Sequence, residues 1–279
     1  MPSRVASFLL CVLLSGSQGA MATSLEGAVA GTHRDPANVA RDPFRHPTEV
    51  LEFFGLQGDM TVVEVWPGAG WWTEILAPVL RDDGTYIAAG FVTEGADVPQ
   101  YRKALVKALQ DKIAASPDLY DQAVVTELGT PNHTEIAPRG TADLVLTFRN
   151  VHNWLAAGDA PQMFQAFHDV LRPGGVLGVV EHRAPAGTGV ETMKKSGYMT
   201  EAYVIELANA AGFVLDARSE VNANPKDTAD HPAGVWTLPP SLRVCRPLPA
   251  GTEQEACFAK YRAIGESDRM TLRFRKPGV

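Results

Sequence analysis

The chain has 279 residues, a formal net charge of −7 and an apolar fraction of 45%. This length suggests one large domain or two small ones, and the apolar residues suffice for a full hydrophobic core. The acidic balance argues against nucleic acid as a partner, because binding of phosphate groups requires clustered lysine and arginine residues.

Residues 1–22 have the pattern of a secretory signal peptide. Arg4 supplies a positive charge, an apolar run covers residues 5–14, and Ala-Met-Ala at 20–22 matches an A-x-A cleavage site. The run is shorter than a membrane span, and no second apolar run of about 18 residues follows. We therefore expect an exported protein, periplasmic or extracellular, without a transmembrane segment in the mature chain. A buried amino-terminal helix is the alternative.

Small and polar residues dominate the segment 23–34, which predicts a mobile leader before a single domain over 35–279. The first helix predicted in this domain covers 46–56. Pro47 suits its first turn, and Gly55 suits its end.

Predicted strands and helices alternate after this helix, which indicates an α/β fold with a mostly parallel sheet of seven strands and helices on both faces. Most of the strands are continuous apolar runs, as expected for strands that are buried on both sides. The predicted strands are residues 61–65, 85–91, 123–128, 142–148, 175–181, 213–221 and 270–276, the last of them antiparallel.

Two helices and a loop-rich insertion are predicted in the second half of the domain. Residues 160–171 place Met163 and Phe167 on one apolar face, and residues 200–211 begin at a threonine cap. The segment 222–262 contains many turn-forming residues, and we expect it to be a loop-rich insertion before the last strand.

Cys245 and Cys257 flank a loop that is rich in proline and glycine within this insertion. In an exported protein such a pair favours a disulfide, while two unrelated buried thiols are the alternative. A bond between them would close a short loop and stabilise the fold by about 3 kcal/mol.

The turn after the first predicted strand, WPGAGWW, is the first candidate for a binding site. Parallel sheets bind ligands at the carboxyl ends of their strands, where Gly68 and Gly70 let the backbone approach a ligand closely. A dinucleotide site would need a third glycine at the position of Thr73. Trp71 and Trp72 also crowd the place of a pyrophosphate, so an NAD site is disfavoured.

This turn resembles motif I of the class I S-adenosylmethionine (SAM) methyltransferases, in which an acidic residue precedes a G-x-G-x-G turn. Glu64 holds the acidic position, Gly68 and Gly70 match the second and third glycines, and Trp66 replaces the first. The resemblance implies a Rossmann-like class I methyltransferase fold with SAM as methyl donor.

Two further segments resemble the same superfamily. TADLVLTFRNVHNW (141–154) is similar to its fourth strand and exit loop, and LRPGGVLGVVEHR (171–183) is similar to its fifth strand with the preceding turn. The likeness covers residues 50–221 and the last strand.

A narrower likeness connects the mature chain with the exported, largely uncharacterised "predicted methyltransferase" proteins. It is carried by WPGAGWWTEILAP, FRNVHNW, NANPKDTADHPAGVWTLPPSLR and IGESDRMTLRF. For the function it implies methyl transfer from SAM to a small molecule.

The sequence departs from the family at the second and third strands. Typical members bind the ribose through an acidic residue at the end of strand 2, where this chain has Gly90 and Phe91, with Glu94 a few residues later. Glu127 and Glu135 are the candidates for a second acidic residue, near the adenine. The missing carboxylate favours an alternative function, an exported protein that binds a ligand on this fold without methyl transfer.

We expect the cofactor to lie against the turn and the ends of the neighbouring strands. Aromatic faces suit a sulfonium cation, although the tryptophans of the turn could instead pack against the sheet. The predicted cofactor-binding residues are Glu64, Trp66, Gly68, Gly70, Trp72, Gly90, Phe91, Arg149 and Asn150.

Polar side chains follow strands 4 and 5 at the same edge of the sheet. His152 belongs to FRNVHNW, and Glu181 and His182 belong to EHR. An imidazole beside a carboxylate can titrate near neutrality, so we predict that His152 and His182 are catalytic, with His152 as a general base. A structural hydrogen bond between the exit loops is the alternative for both.

Other candidates lie on loops and near the amino terminus. Tyr198 precedes a helix where a substrate lid would lie, and we predict a catalytic role for it. Segment 222–243 is expected to cover the site with Trp236, and His46 is a further candidate. NPKDTADHP (224–232) contains metal-ligand residue types, but they are more typical of a turn, and we predict no metal.

Overall fold

A seven-stranded sheet forms the centre of the computed structural model, which describes residues 23–95 and 97–278. The predicted signal peptide over 1–22 lies outside the described residues. The strands are β1 (Thr61–Val65), β2 (Thr85–Phe91), β3 (Val124–Leu128), β4 (Ala142–Phe148), β5 (Leu171–His182), β6 (Val214–Ser219) and β7 (Arg269–Arg275).

The strand order is β3-β2-β1-β4-β5-β7-β6, and among these strands β7 alone runs antiparallel to its neighbours. The prediction of a mostly parallel sheet with an antiparallel last strand is confirmed. Chain order reverses between β1 and β4, so a crevice forms at the carboxyl ends of these strands. The turn after β1 lies there.

Twelve helices are found in the described part of the chain. They are α1 (Leu25–Val29), α2 (Pro36–Val39), α3 (Asp42–Arg45), α4 (Pro47–Phe54), α5 (Thr73–Leu80), α6 (Gln100–Ala115), α7 (Pro117–Tyr120), α8 (Val151–Ala157), α9 (Ala160–Val170), α10 (Val190–Ser196), α11 (Glu201–Ala210) and α12 (Thr252–Ile264). None of them is long and apolar enough to cross a membrane.

Helices cover both faces of the sheet, as predicted. Successive residues of a strand point to opposite faces, so β1 contributes to two separate hydrophobic clusters. Val63 packs in the cluster that contains residues of α8, α9 and α11, whereas Val62 packs in the cluster that contains residues of α4 and α5. Burial on both sides explains why the central strands are continuous apolar runs.

The segment 23–34 is ordered rather than mobile, which corrects the prediction for it. Ser24 caps α1 by accepting a hydrogen bond, and Ala28 is fully buried. Arg34 is buried as well, and its guanidinium forms two hydrogen bonds with Asp42 at 2.6 and 2.8 Å. A five-residue helix is too short to show an apolar period in the sequence, and tertiary contacts hold this one in place.

The segment 222–262 is largely irregular, but it ends in the 13-residue helix α12, which the sequence did not predict. Within α12 only Tyr261 is buried, so the helix lacks the apolar stripe that would identify it. A disulfide between Cys245 and Cys257 connects α12 to the loop before it. The pairing expected from the sequence is thus present in the structure.

Candidate functional site

A cleft of about 340 Å³ opens at the carboxyl ends of β1, β2 and β4, next to the turn that follows β1. Its volume lies within the range of small-molecule sites. The residues that line it are Asn38, Arg41, Arg45, Glu64, Val65, Trp66, Pro67, Gly68, Ala69, Trp71, Trp72, Phe91, Leu105, Phe148, Arg149 and Asn150.

Two glycines shape the turn, and the structure gives them different roles. Both have left-handed backbone angles, with φ of 63° at Gly68 and 84° at Gly70. A Cβ atom at Gly70 would lie 2.9 Å from Leu109, so this glycine permits close packing of the turn on α6. A Cβ atom at Gly68 would meet open space, so this glycine keeps backbone accessible beside the cleft.

Glu64 is a buried carboxyl group that supports the turn from below. It accepts hydrogen bonds from the Tyr86 hydroxyl at 2.5 Å and from the Thr73 hydroxyl at 3.2 Å, and so connects β1 with β2 and α5. Burial raises its pKa from 4.5 to about 7, although the two hydrogen bonds and the nearby Arg45 lower it. Glu64, the acidic residue of the motif, therefore has hydrogen-bond partners within the fold and also borders the cleft.

Trp66 takes a left-handed conformation (φ 48°) and turns its indole toward the end of β3. The indole N–H donates to the Leu128 carbonyl at 3.0 Å, and the ring packs against Phe91 and Trp154 at centroid distances of 4.6 and 5.5 Å. Arg102 lies 5.0 Å above the ring. The indole thus lies across the ends of β2 and β3.

Trp66 also borders a second cavity, of about 360 Å³. Glu94 and His133 line this cavity, whereas Glu127 is bound to the Thr93 backbone N–H and lies 3.4 Å from His133. Glu135 is exposed. The acidic candidates from the sequence therefore lie at or near the second cavity, outside the lining of the cleft.

The two tryptophans that follow the glycines are buried and line the cleft. Trp72 stacks on Phe148 with ring centroids 4.1 Å apart. Trp71 donates to the Asn38 carbonyl at 3.0 Å, and the Arg45 guanidinium lies 4.5 Å from its ring centre. Packing and ligand contact are thus compatible for both residues, since each presents part of its surface to the cleft.

The end of β4 contributes two of the predicted cofactor-binding residues. Asn150 donates to the Val65 carbonyl at 3.0 Å and to the Thr147 hydroxyl at 3.2 Å, which ties the exit of β4 to β1. Arg149 has φ of 60° and lines the cleft. Gly90 does not: it lies within β2, paired with Glu127 of β3, and the backbone of the sheet surrounds it.

His152, Glu181 and His182 form a buried cluster beside the cleft. Glu181 accepts from the His152 ring Nδ1 at 3.1 Å and from the backbone N–H groups of His152 and His182 at 3.2 and 2.8 Å. The two imidazole rings are 5.3 Å apart. The carboxylate fixes His152 with its proton on Nδ1, which leaves Nε2 as the basic nitrogen.

A third cavity, of about 230 Å³, lies above these histidines, and we call it the histidine cavity. Its lining residues are Arg149, His152, His182, Val235, Trp236, Pro239, Pro240 and Ser241. Residues of the segment 222–243 cover the histidine cavity and not the cleft after β1, with the Trp236 ring 6.0 Å from that of His152. Arg149 separates this cavity from the cleft, because it lines both.

His182 is held in its neutral form. Burial, His152, Arg149 and other nearby arginines lower its pKa well below the ordinary value. Its Nδ1 bonds to the Ser267 hydroxyl at 2.5 Å. Together with His152 and Glu181 it has metal-ligand geometry, since the three ligand atoms lie within 4.8 Å of one another. However, Glu181 already accepts three hydrogen bonds and arginines lie nearby, which favours a hydrogen-bonded cluster over a cation site.

Two sequence candidates do not line the cleft or the histidine cavity. The Tyr198 hydroxyl donates to Asp227, with both carboxylate oxygens at 2.9 Å, and the Tyr198 ring lies 6.2 Å from that of His182. His46 lines a separate cavity next to Phe44 and Asn224. A catalytic role for Tyr198 therefore stays a prediction, whereas the structure does not bring His46 to the histidines.

Arg41 and Arg45 are functional candidates that the sequence did not reveal. They come from the segment around α3, and both line the cleft near Arg149. Glu266 binds Arg41 at 2.7 Å and lies 3.5 Å from Arg45, and it also binds Arg269 of β7 at 3.2 Å. The pair of arginines in ARDPFRHP was the only available signal, and it does not indicate a distance to β4.

The raised pKa of Glu64 predicts a pH-dependent stability. The folded state binds more protons than the unfolded state between about pH 4.5 and pH 7, so stability falls as the pH rises through this range. Between about pH 5 and pH 8, the free energy of unfolding of the wild type should fall by about 2–3 kcal/mol more than that of Glu64→Gln.

Urea denaturation at both pH values measures this difference. Glu49→Gln, an exposed carboxyl on α4, is the matched control and should behave like the wild type. An equal pH dependence for Glu64→Gln and the wild type would contradict a protonated Glu64.

Neither a family profile nor a curated protein matches the chain. Solved structures do match. A SAM-dependent methyltransferase from Aquifex aeolicus is 20% identical over 67% of this chain and 88% of its own, with a TM-score of 0.52. A putative sarcosine dimethylglycine methyltransferase from Galdieria sulphuraria is 15% identical over 88% and 91%, with a TM-score of 0.55.

The cyclase SpnF is also similar, with 19% identity over 84% of this chain and 82% of its own and a TM-score of 0.55. At such low identity these similarities show the fold and not the reaction. The chain has the Rossmann-like fold of class I methyltransferases, which also occurs in a protein named for a different reaction.

Proposed function

We propose that the protein is a SAM-dependent methyltransferase of the class I superfamily that acts on a small molecule. The observation that carries this proposal is the cleft beside Gly68, at the carboxyl ends of β1, β2 and β4, with a buried carboxyl group beneath the turn. Sites of this fold class bind ligands where the chain order reverses, and the cleft lies at that point.

The residues of the cleft fit SAM in three respects. Gly68 leaves room for a ligand near the backbone, and the Trp72–Phe148 stack offers an aromatic wall to a sulfonium cation. Arg45 has two buried guanidinium nitrogens without a hydrogen-bond partner in the described chain, and these fit the carboxylate of the methionine part. When bound, SAM supplies an activated methyl group.

The histidine cavity is the proposed place of the acceptor. His152 lines it and is oriented by the Glu181 carboxylate, so Nε2 can take the proton of an acceptor hydroxyl or amine. Glu181 then stabilises the imidazolium that forms. Trp236 and the neighbouring prolines exclude water from the cavity, because they cover the histidines.

A second candidate function is ligand binding without methyl transfer. It is favoured by the end of β2, where Phe91 stands in place of a carboxylate, and by the Trp66 indole that packs on it. The ribose contact expected in the family is therefore missing from this strand. This function predicts binding of a small molecule in the cleft and no turnover.

Export of the protein is part of the proposal, since the disulfide Cys245–Cys257 suits an oxidising compartment. Ser24, two residues after the predicted cleavage point, caps α1. We expect amino-terminal sequencing of the secreted or periplasmic protein to start at Thr23. An intact residue 1 in protein recovered from that compartment would contradict cleavage.

Donor binding can be tested with S-adenosylhomocysteine, the demethylated product of SAM. We expect it to raise the melting temperature of the wild type, since a ligand at about 100 times its dissociation constant adds about 2.7 kcal/mol of stability. Gly68→Asn should abolish the increase, because its side chain would enter the cleft while asparagine tolerates the positive φ.

Gly140→Asn is the matched control, with φ of 69° and open space around its Cβ, at the opposite edge of the sheet before β4. It should keep the full thermal shift. If millimolar S-adenosylhomocysteine leaves the wild-type melting temperature unchanged, the methyltransferase proposal fails.

The role of His152 can be tested by methyl transfer from labelled SAM to a panel of small carboxylates and phosphates. His152→Gln should reduce transfer by about 100-fold or more while binding of S-adenosylhomocysteine is retained. His168→Gln on α9 is the control and should transfer like the wild type. Full activity of His152→Gln would exclude it as the general base, and binding without transfer by the wild type would support the second candidate.

A further inference from the structure

Four arginines surround a single carboxylate at the mouth of the cleft. Arg41 and Arg269 bond to Glu266 at 2.7 and 3.2 Å, and Arg45 lies 3.5 Å from it. Arg149 lies near enough to influence the pKa of Glu266. One carboxylate offsets one of four positive charges, so the cluster keeps a net positive charge in a poorly solvated place.

Several guanidinium groups of this cluster lack protein partners. The Nε and Nη2 of Arg45 and the Nη2 of Arg41 are buried without a hydrogen-bond partner in the described chain. The Arg149 side chain is partly buried and lines the cleft. These three side chains all line the cleft. Buried donors without acceptors are costly, so the arrangement is suited to accept oxygen atoms of a ligand.

The titration behaviour of the cluster agrees with this charge imbalance. Burial and the neighbouring Arg149 lower the pKa of Arg45 well below its ordinary value, against the opposing effect of Glu266. Burial acts to raise the pKa of Glu266, yet the four arginines hold it at about 2. An additional anion would reduce the repulsion among these guanidinium groups.

SAM alone does not supply enough negative charge to balance the arginine cluster. SAM carries one carboxylate together with an ammonium and a sulfonium group, so it adds positive charge overall. The other nearby carboxylates are Glu181, which is engaged with the histidines, Asp268, which is paired with Arg183, and Glu64, whose pKa is about 7. A negatively charged second ligand would balance the site.

Arg149 is placed to bind such a ligand from the acceptor side, because it lines both the cleft and the histidine cavity. We propose that the methyl acceptor is a small anion whose carboxylate or phosphate group binds Arg149, while Arg45 remains for the carboxylate of the donor. This inference rests on the proposed methyl transfer. The planar guanidinium group matches the paired oxygens of an oxyanion, and the rest of the acceptor then lies beside His152.

The test is calorimetric binding of two probes, inorganic phosphate and malonate, to the wild-type protein with and without saturating S-adenosylhomocysteine. We expect at least one probe to bind in both conditions. Arg149→Gln should weaken this binding by about tenfold to a hundredfold, and Arg149→Lys should weaken it less, because the charge is retained.

Arg139→Gln is the matched control, since Arg139 is an exposed arginine paired with Asp169 just before β4. It should bind the probes like the wild type. Circular dichroism and the melting temperature of Arg149→Gln establish that the variant is folded. They are expected to match the wild type, because the Arg149 side chain is only partly buried.

Three results would overturn the inference: no binding of either probe at millimolar concentration, unchanged binding in Arg149→Gln, or competition of the probe with S-adenosylhomocysteine. Competition would assign the arginines to the donor carboxylate. Probe binding that persists while S-adenosylhomocysteine fails to bind would retain the oxyanion site and reject methyl transfer, so the two proposals fail in distinguishable ways.

Discussion

The ion cluster around Glu266 determines the shape of the candidate site. Its carboxylate holds Arg41, which lines the cleft, and Arg269 from β7, and so joins the segment around α3 to the last strand. Breaking a buried ion pair from one side typically costs about 3–5 kcal/mol, because the remaining charge loses its partner. In this cluster the loss of Glu266 would leave several guanidinium groups facing each other.

The sheet was predictable from the sequence because burial dictates composition. Strands enclosed on both faces are mostly apolar, so β1, β2 and β4 were predicted with the bounds that the structure shows. The glycine turn was predictable for a similar reason, since Gly70 has no space for a side chain. Both features follow from local chemistry that a single sequence displays.

The site itself was predicted only in part, because much of it depends on contacts between distant segments. His152 and His182 follow neighbouring strands, so their meeting at one edge could be expected from the topology. Arg45 lies in a helix of four residues, which is too short to show a periodic pattern in the sequence. Nothing in the local sequence indicates that Arg45 approaches Arg149. The sequence did not indicate that the Tyr198 hydroxyl is bound to Asp227, because Asp227 lies 29 residues later, within a loop.

The position of Trp66 shows why the fold by itself does not establish the reaction. Its indole lies over the end of β2 and its N–H is bound to the end of β3, where a family member would contact the nucleoside of SAM. The cleft and the second cavity, both bordered by Trp66, are each large enough for part of such a ligand. Position and size of the indole therefore limit how an adenosine group can be placed.

The bond between Arg41 and Glu266 spans 225 positions of the chain. A ribosome delivers Arg41 well before Glu266, so this wall of the cleft is absent until residue 266 has been synthesised. Binding of the proposed anion would thus become possible only after that point. A chain that crosses a membrane unfolded would consequently acquire this anion in the compartment of arrival and not in the one where it was made.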